Sequence, residues 1–170
     1  MDHNSTMPIL DPNTLEFVSR SPDQTRRMGY RLGSMLQLGD VVCLVGDLGA
    51  GKTTLVQGIA KGWGSLDAVS SPTFILVNVY HRPSGDHLYH LDAYRMQNWL
   101  EAEDLDITLM LENGALVVEW PERIDAALPQ ERLELNMRWL SDEQRGMVFM
   151  AHGGHYEQLL AEFRRRTFGG

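Results

Sequence analysis

The segment from Gly46 to Thr53 constrains this chain more than any other feature. It reads Gly-Asp-Leu-Gly-Ala-Gly-Lys-Thr and fits the phosphate-binding pattern G-x-x-x-x-G-K-[ST] at every fixed position. Glycines let such a loop curl until successive backbone N–H groups point at phosphate oxygens. The context also fits, because the apolar, β-branched run 41–45 predicts a buried strand before the loop and 52–63 predicts a helix after it. The segment therefore predicts binding of a nucleoside triphosphate together with Mg²⁺.

Individual loop positions have different expected roles. Lys52 is expected to reach the β- and γ-phosphates, and the Thr53 hydroxyl is expected to bind Mg²⁺. The start of the following helix favours negative charge. Thr54 either contacts the α-phosphate or caps the helix, and Asp47 and Leu48 are either part of the phosphate cradle or spacers. The predicted nucleotide-binding residues of the loop are Gly46, Asp47, Leu48, Gly49, Ala50, Gly51, Lys52, Thr53 and Thr54.

Two acidic residues stand at the ends of predicted strands, where a triphosphate site needs a carboxylate for its metal. Glu119 ends the apolar run 115–119, which is the layout of a Walker B element with glutamate in place of the commoner aspartate. It is predicted to lie in the Mg²⁺ shell or to orient water. Asp92 ends the run 87–92 and either serves the same site or caps the segment that follows. Both are candidate catalytic residues, as is Lys52, and the sequence leaves open which acid activates the water.

Further candidates lie in the connections. The segment Ser71–Phe74 follows the loop helix, and a hydroxyl in such a connection senses the γ-phosphate in nucleotide switches. Thr73 is the candidate there, although a proline turn entering a strand is equally compatible. Arg95 and Arg123 follow the two acids and either neutralise developing phosphate charge or pair with nearby acids.

The order of elements predicts an α/β fold. We expect a P-loop NTPase-like three-layer sandwich, with parallel central strands and added antiparallel strands, formed by a single domain over 14–170 after a flexible lead-in over 1–13. The predicted strands are 14–19, 41–45, 74–80, 87–92, 115–119, 132–139 and 146–151. The predicted helices are 22–38, capped by Ser21, then 52–63, 98–113 (as one helix or two short ones) and 155–166.

Composition limits the partners and the compartment. The net charge of −8, with only two lysines, argues against tight binding of RNA by the chain alone, because nucleic-acid affinity comes largely from neutralising phosphates. The basic run Arg164–Arg166 is typical of a solvated helix end. Cys43 is the only cysteine, no apolar run approaches the roughly 20 residues of a membrane span, and the N-terminus lacks a secretory pattern. We therefore expect a cytoplasmic protein with no membrane contact.

Several classes of nucleotide-binding protein are disfavoured. A GTPase reads guanine with an Asn/Thr-Lys-x-Asp segment, which neither lysine provides, and the serine-glycine-glycine signature of ABC ATPases is missing. ATP is therefore the expected nucleotide. A small-molecule kinase remains the rival hypothesis, with Arg95 and Arg123 as phosphate clamps, although the segment 122–130 makes a poor arginine-rich lid.

Four blocks together resemble a known family. The blocks GDLGAGKTT, SPTF, LYHLDAYRM and VVEWPERI are similar in order and spacing to the TsaE (YjeE) family, the bacterial ATPases of tRNA threonylcarbamoyladenosine synthesis, over about Ser21 to Arg145. The resemblance implies ATP hydrolysis alongside the TsaB–TsaD pair. That complex places a threonylcarbamoyl group on the adenosine next to the anticodon in tRNAs reading codons that begin with A, and ATP turnover resets it.

The resemblance also implies roles for single residues. Thr53 and Glu119 match the family's Mg²⁺ positions, Asp92 matches an acid important for hydrolysis, and Thr25 matches a threonine that contacts the nucleotide. Asp106 stands where glycine is expected, which puts the local helix packing in doubt.

Overall fold

The computed structural model describes residues 11–69 and 76–169 and contains a seven-stranded mixed sheet flanked by helices. The strands are β1 (Thr14–Ser19), β2 (Val41–Val45), β3 (Val77–His81), β4 (His87–Asp92), β5 (Gly114–Glu119), β6 (Arg132–Trp139) and β7 (Arg145–His152). The α-helices are α1 (Pro22–Met35), α2 (Lys52–Trp63), α3 (Trp99–Glu103), α4 (Ile107–Asn113) and α5 (Gly154–Phe168), and 3-10 turns follow β5 at Pro121–Arg123 and Asp125–Ala127.

The sheet is parallel at its centre and antiparallel at its edges. Its order is β1-β7-β6-β2-β5-β4-β3. Strand β2 pairs in parallel with β5 and β6, and β5 pairs in parallel with β4. The β3–β4 hairpin closes one edge, and β7 adds antiparallel to β6 and β1 at the other. This confirms the predicted fold class, since the carboxyl ends of β2, β4 and β5 meet at one end of the sheet.

Two apolar cores cover the two faces, as expected for central strands that read as continuous apolar runs. On one face, α1, α2 and α5 pack against alternate residues of the sheet, such as Val42, Leu44 and Val117. On the other face, Cys43 and Val118 pack with residues of α3 and α4. The result is the predicted three-layer arrangement.

Some element boundaries differ from the sequence predictions. Helix α1 begins as expected, with the Ser21 side chain accepting from the backbone N–H of Gln24, but it ends at Met35 because Leu36 is extended. Strand β3 begins at Val77, whereas the predicted strand begins at residue 74. Residues 74–75 lie outside the described part of the chain, and Leu76 forms a bend. Gly114, which lies between the predicted helix 98–113 and the predicted strand 115–119, caps the end of α4 and also begins β5, where the His87 backbone leaves no space for a side chain.

Asp106 explains both the break within 98–113 and the expectation of glycine at that position. Its φ is 51°, in the left-handed region that favours glycine and that aspartate tolerates better than most residues. The carboxylate accepts from the backbone N–H of Leu109 and so caps α4. Aspartate therefore fits this position, and the segment forms the two short helices α3 and α4.

Helices α1 and α2 approach each other so closely that their backbones touch. Four glycines spaced by four residues, two on each helix, form this contact. A Cβ on Gly33 would overlap the carbonyl oxygen of Ile59, and a Cβ on Gly62 would overlap that of Tyr30. The four are Gly29, Gly33, Gly58 and Gly62. Because α2 begins at the glycine-rich loop, this contact fixes the helix that carries Lys52 and Thr53.

Cys43 is fully buried in β2, and burial raises the pKa of its thiol to about 12. The thiolate is the reactive form, so we expect the native protein to resist thiol reagents at pH 8. Labelling with a chromogenic disulfide should proceed at the rate of unfolding and become fast in denaturant. Rapid labelling of the native protein would show that β2 is more accessible than its packing indicates.

The arginine-rich run at the end of α5 is bound to the protein's own groups. Arg164 donates to the carbonyl oxygen of Thr14, whereas Arg165 and Arg166 both pair with Glu162. These hydrogen bonds lower the pKa of the partly exposed Glu162 to about 2. Within the described residues, no helix is long and apolar enough to cross a membrane.

Candidate functional site

The glycine-rich loop, residues 46–53, joins the end of β2 to the start of α2. Gly49 and Gly51 have φ values of 83° and 96°, which few residues other than glycine adopt. Gly46 lies against the Met137 carbonyl oxygen of β6, where a Cβ would collide. The pattern glycines therefore serve the curl of the loop and its close approach to the neighbouring strand. Asp47, Leu48 and Gly49 are exposed at the tip, and Ala50 is buried.

Lys52 is held over the loop. It is 94% buried, and its ammonium group donates to the Gly46 carbonyl oxygen at 2.6 Å. The same ammonium lies 4.2 Å from the centre of the Trp120 ring, a cation–π contact. Burial lowers the pKa of Lys52, and the negative charges of Glu119 and Asp92 oppose that shift. The ammonium group of Lys52 is therefore close enough to both strand-end acids for their charges to act on it.

Asp92 and Glu119 are direct neighbours in the parallel pair of β4 and β5. The backbone N–H of Ala93 donates to the Glu119 carbonyl oxygen at 3.0 Å and locks the two strand ends together. Residues in register on parallel strands share a face, and here it is the face covered by α2. Glu119 is buried, whereas Asp92 is partly exposed and accepts from the backbone N–H of Tyr94.

A buried hydrogen-bond chain stands behind Glu119. His90 Nε2 lies 2.6 Å from Glu119 Oε2, and His90 Nδ1 lies 3.2 Å from the hydroxyl of Tyr80. The side chains of His90 and Glu119 are only 1% and 9% exposed. The Glu119 carboxylate is therefore bound, away from solvent, by a polar pair of side chains from the β3–β4 hairpin.

Trp120 adopts an unusual backbone conformation directly after Glu119. Its φ is 56°, which is strained for so bulky a residue, and its ring packs against that of Tyr94 while facing Lys52. The Arg123 guanidinium lies 5.6 Å from the Tyr94 ring. This backbone conformation places an aromatic side chain over Lys52.

The donor set fits a magnesium ion that is shared with phosphates. Among the described residues no group of three or more His, Cys, Asp and Glu side chains forms a cage for a metal. Mg²⁺ in nucleotide sites is usually held by one or two carboxylates together with substrate phosphates and water. The exposed Thr53 hydroxyl and the carboxylates of Glu119 and Asp92 supply such a set at one end of the sheet.

Comparison with known proteins shows which family this sequence resembles. The sequence model of a family described as threonylcarbamoyl adenosine biosynthesis protein TsaE matches residues 19–147. The chain belongs to the TsaE family. The match begins at the end of β1 and ends within β7, so it contains the loop, both acids and the α1–α2 contact.

Individual TsaE relatives are similar over most of their length. The TsaE protein of Bacillus subtilis is 38% identical over 152 residues, which cover 89% of this chain and 94% of the relative. The Streptomyces coelicolor TsaE is 46% identical over 116 residues, covering 66% of this chain and 77% of the relative. A crystal structure of Bacillus subtilis YdiB is 34% identical with a TM-score of 0.74, covering 90% of this chain and 95% of that one.

Of two further predicted nucleotide-binding residues, Thr25 and Thr73, the structure describes only Thr25. Thr25 in α1 is 99% buried, and its hydroxyl lies 2.6 Å from that of Ser19. This bond ties α1 to the end of β1, and the Thr25 hydroxyl already has a protein partner. Thr73 and the rest of Ser71–Phe74 fall outside the described residues.

The structure adds residues to this TsaE-family site that sequence reasoning missed. Neither His90 nor Tyr80 was predicted as a site residue. Arg145 begins β7, yet its Nε is buried 3.3 Å from the point where a Cβ added to Gly51 would lie, without a hydrogen-bond partner in the described part of the chain. Its Nη1 donates to carbonyl oxygens of the β6–β7 turn, including that of Ser141. Arg145 thus braces that turn against the glycine-rich loop, a role with no local sequence signal.

Proposed function

We propose that this chain binds ATP with Mg²⁺ and hydrolyses it as the ATPase of tRNA threonylcarbamoyladenosine formation. One observation carries the proposal: a buried lysine at the end of a glycine-rich loop is acted on by the charges of two strand-end acids that are neighbours in the sheet. A positive group for phosphates and paired carboxylates for the metal and the water are the parts that phosphoryl transfer requires.

Each residue has a role in this mechanism. The backbone N–H groups of residues 46–53 bind the phosphates and hold the chain of phosphates in line. Lys52 exchanges its bond to the Gly46 carbonyl for phosphate oxygens and stabilises the negative charge that moves to the leaving group. Thr53 and Glu119 would hold Mg²⁺, which when bound neutralises charge on the phosphates. Asp92, the more exposed acid, is the candidate for orienting the attacking water, with Trp120 limiting access of bulk solvent.

The proposed setting is the cytoplasm, in a complex with TsaB and TsaD that modifies tRNAs reading ANN codons. Family membership supports the pathway. The net charge of −8 supports contact with tRNA through these protein partners, and the arginines of the C-terminal run are engaged within the chain. Turnover by the chain alone is expected to be slow and to rise when the partners bind.

Glu119→Gln tests the proposal by replacing one carboxylate oxygen with an amide nitrogen. The amide keeps the size of the side chain and still accepts from His90, but it removes the negative charge. We expect hydrolysis to fall by about 100-fold or more, while a nonhydrolysable ATP analogue still binds in the absence of metal. Phosphate release and analogue titration measure the two effects. Glu112→Gln, at an exposed site on α4, is the matched control and should hydrolyse ATP like the wild type.

Two further results distinguish the proposed ATPase from a small-molecule kinase. In ATP and Mg²⁺ the chain is expected to co-elute with TsaB and TsaD, and free phosphate is expected as the product. A phosphorylated small molecule formed from candidate acceptors would instead identify a kinase. No association with TsaB and TsaD under these conditions would contradict the partner assignment.

A further inference from the structure

Glu119 is held by a buried partner that the proposed reaction does not itself use. His90 lies on β4, two residues before Asp92, and its Nε2 is 2.6 Å from Glu119 Oε2. Both side chains point to the α2 face, and both are almost fully shielded from water. Burying a carboxylate costs free energy unless a hydrogen-bond donor compensates it. The contact with His90 therefore allows Glu119 to be buried at this position.

The hydrogen bond made by His90 Nδ1 determines whether His90 Nε2 carries a hydrogen that it can donate to Glu119. Nδ1 lies 3.2 Å from the Tyr80 hydroxyl, which comes from the other strand of the β3–β4 hairpin. Burial, with the Glu119 charge as a smaller cause, raises the pKa of Tyr80 to about 12, so the hydroxyl keeps its proton and can donate to Nδ1. With Nδ1 as acceptor, Nε2 carries the hydrogen and donates to the carboxylate.

The bond engages only one of the two carboxylate oxygens. Oε2 is taken by His90, whereas no hydrogen bond within the described part of the chain engages Oε1, and the negative charge of Glu119 acts on Lys52. The Ala93–Glu119 backbone bond fixes the same strand end independently. The side chain is therefore restrained at its base by the sheet and at its tip by His90.

We propose that His90 is a positioning residue that aims the Glu119 carboxylate at the metal of the nucleotide site, with Tyr80 fixing the orientation of the His90 ring. The inference rests on the proposed Mg-ATP function and deepens it. Partners that orient a metal-binding side chain in this way typically change metal affinity by about 10–100-fold when removed. The effect should appear in metal binding, whereas nucleotide contacts made by the loop remain.

The test measures metal and nucleotide affinity separately. Mn²⁺ binding to the chain saturated with a nonhydrolysable ATP analogue is followed by the paramagnetic resonance of free Mn²⁺, and analogue affinity is titrated in EDTA. His90→Leu removes the donor and is expected to weaken Mn²⁺ binding about 10–100-fold, with analogue affinity in EDTA within about twofold of wild type. His90→Gln keeps a donor at the position of Nε2 and is expected to restore most of the loss.

A second His–Tyr pair on the same strand provides the control. His87 Nδ1 lies 3.0 Å from the Tyr89 hydroxyl, at the opposite end of β4 from Asp92. His87→Leu removes an equivalent bond without touching Glu119, so its Mn²⁺ affinity should equal that of the wild type. Thermal melts accompany every variant.

The outcomes decide between the inference and the function on which it rests. If Glu119→Gln loses Mn²⁺ and His90→Leu does not, the inference is overturned while the proposed function stands. If the wild type binds no Mn²⁺ with the analogue, the proposed function itself fails. Should His90→Leu not fold, His90→Asn gives the answer, because asparagine is too short to reach Glu119: a folded His90→Asn protein with wild-type Mn²⁺ affinity overturns the inference.

Discussion

Lys52→Ala is expected to reduce the affinity for an ATP analogue with Mg²⁺ by about 100-fold or more. Each hydrogen bond between a charged donor and a phosphate contributes about 1.5–3 kcal/mol, and this lysine is positioned to make two. Burial strengthens the effect, because an ammonium group shielded by Trp120 interacts with phosphate through a medium of lower dielectric constant than water. Isothermal titration of both proteins measures the difference.

Lys61→Ala is the matched control for that experiment. It is the only other lysine, lies on the same helix α2 and is exposed. It should bind the analogue like the wild type. Equal affinities for Lys52→Ala and wild type would show that the glycine-rich loop does not hold the phosphates in the expected way.

Gly62→Ala is expected to destabilise the protein by about 3 kcal/mol or more. Alanine is favoured over glycine within a helix by about 1 kcal/mol. Here that preference is outweighed, because the added methyl group would overlap the Tyr30 carbonyl and push α1 and α2 apart. Overpacking of this kind typically costs about 1–3 kcal/mol, and backbone against backbone leaves no flexible side chain to move aside. Urea denaturation gives the free energy of unfolding.

Gly154→Ala gives the comparison for Gly62→Ala. Gly154 is the first residue of α5, and a Cβ there meets nothing within 4 Å. Its free energy of unfolding should stay within about 0.5 kcal/mol of the wild type. If both variants unfold at the same urea concentration, the close approach of α1 and α2 contributes little to stability.

The separation of α1 and α2 also matters for the site. Because Lys52 and Thr53 open α2, a shift of that helix moves both relative to β5. Gly62→Ala is therefore also expected to weaken analogue binding, although residue 62 lies at the far end of α2 from the loop.

Local patterns predicted most of the fold. The apolar run of β2 and the capping serine before α1 each carry their structural information within a few residues. The glycine-rich loop is predictable for the same reason, since its function needs glycines at fixed spacing between a strand and a helix. Asp92 and Glu119 could be expected to approach each other because both end parallel strands.

Contacts between distant segments could not be predicted in this way. His90 and Glu119 are 29 residues apart, and only the register of β4 on β5 brings them together. The glycine contact of α1 with α2 depends on helix faces that the sequence does not align, and the early end of α1 follows from the extended backbone at Leu36. The hydrogen bond between the Thr25 and Ser19 hydroxyls likewise joins separate elements, α1 and β1, and the contact of Thr25 with the nucleotide stays a prediction.

Phosphate release from ATP by the purified chain is the most direct test of the proposed function. It should be measured with Mg²⁺ and with EDTA, each with and without TsaB and TsaD. We predict slow release with Mg²⁺ alone, faster release when both partners are added, and background release in EDTA. Release that equals background under all conditions, or that is unaffected by EDTA, would contradict the assignment of a magnesium-dependent ATPase.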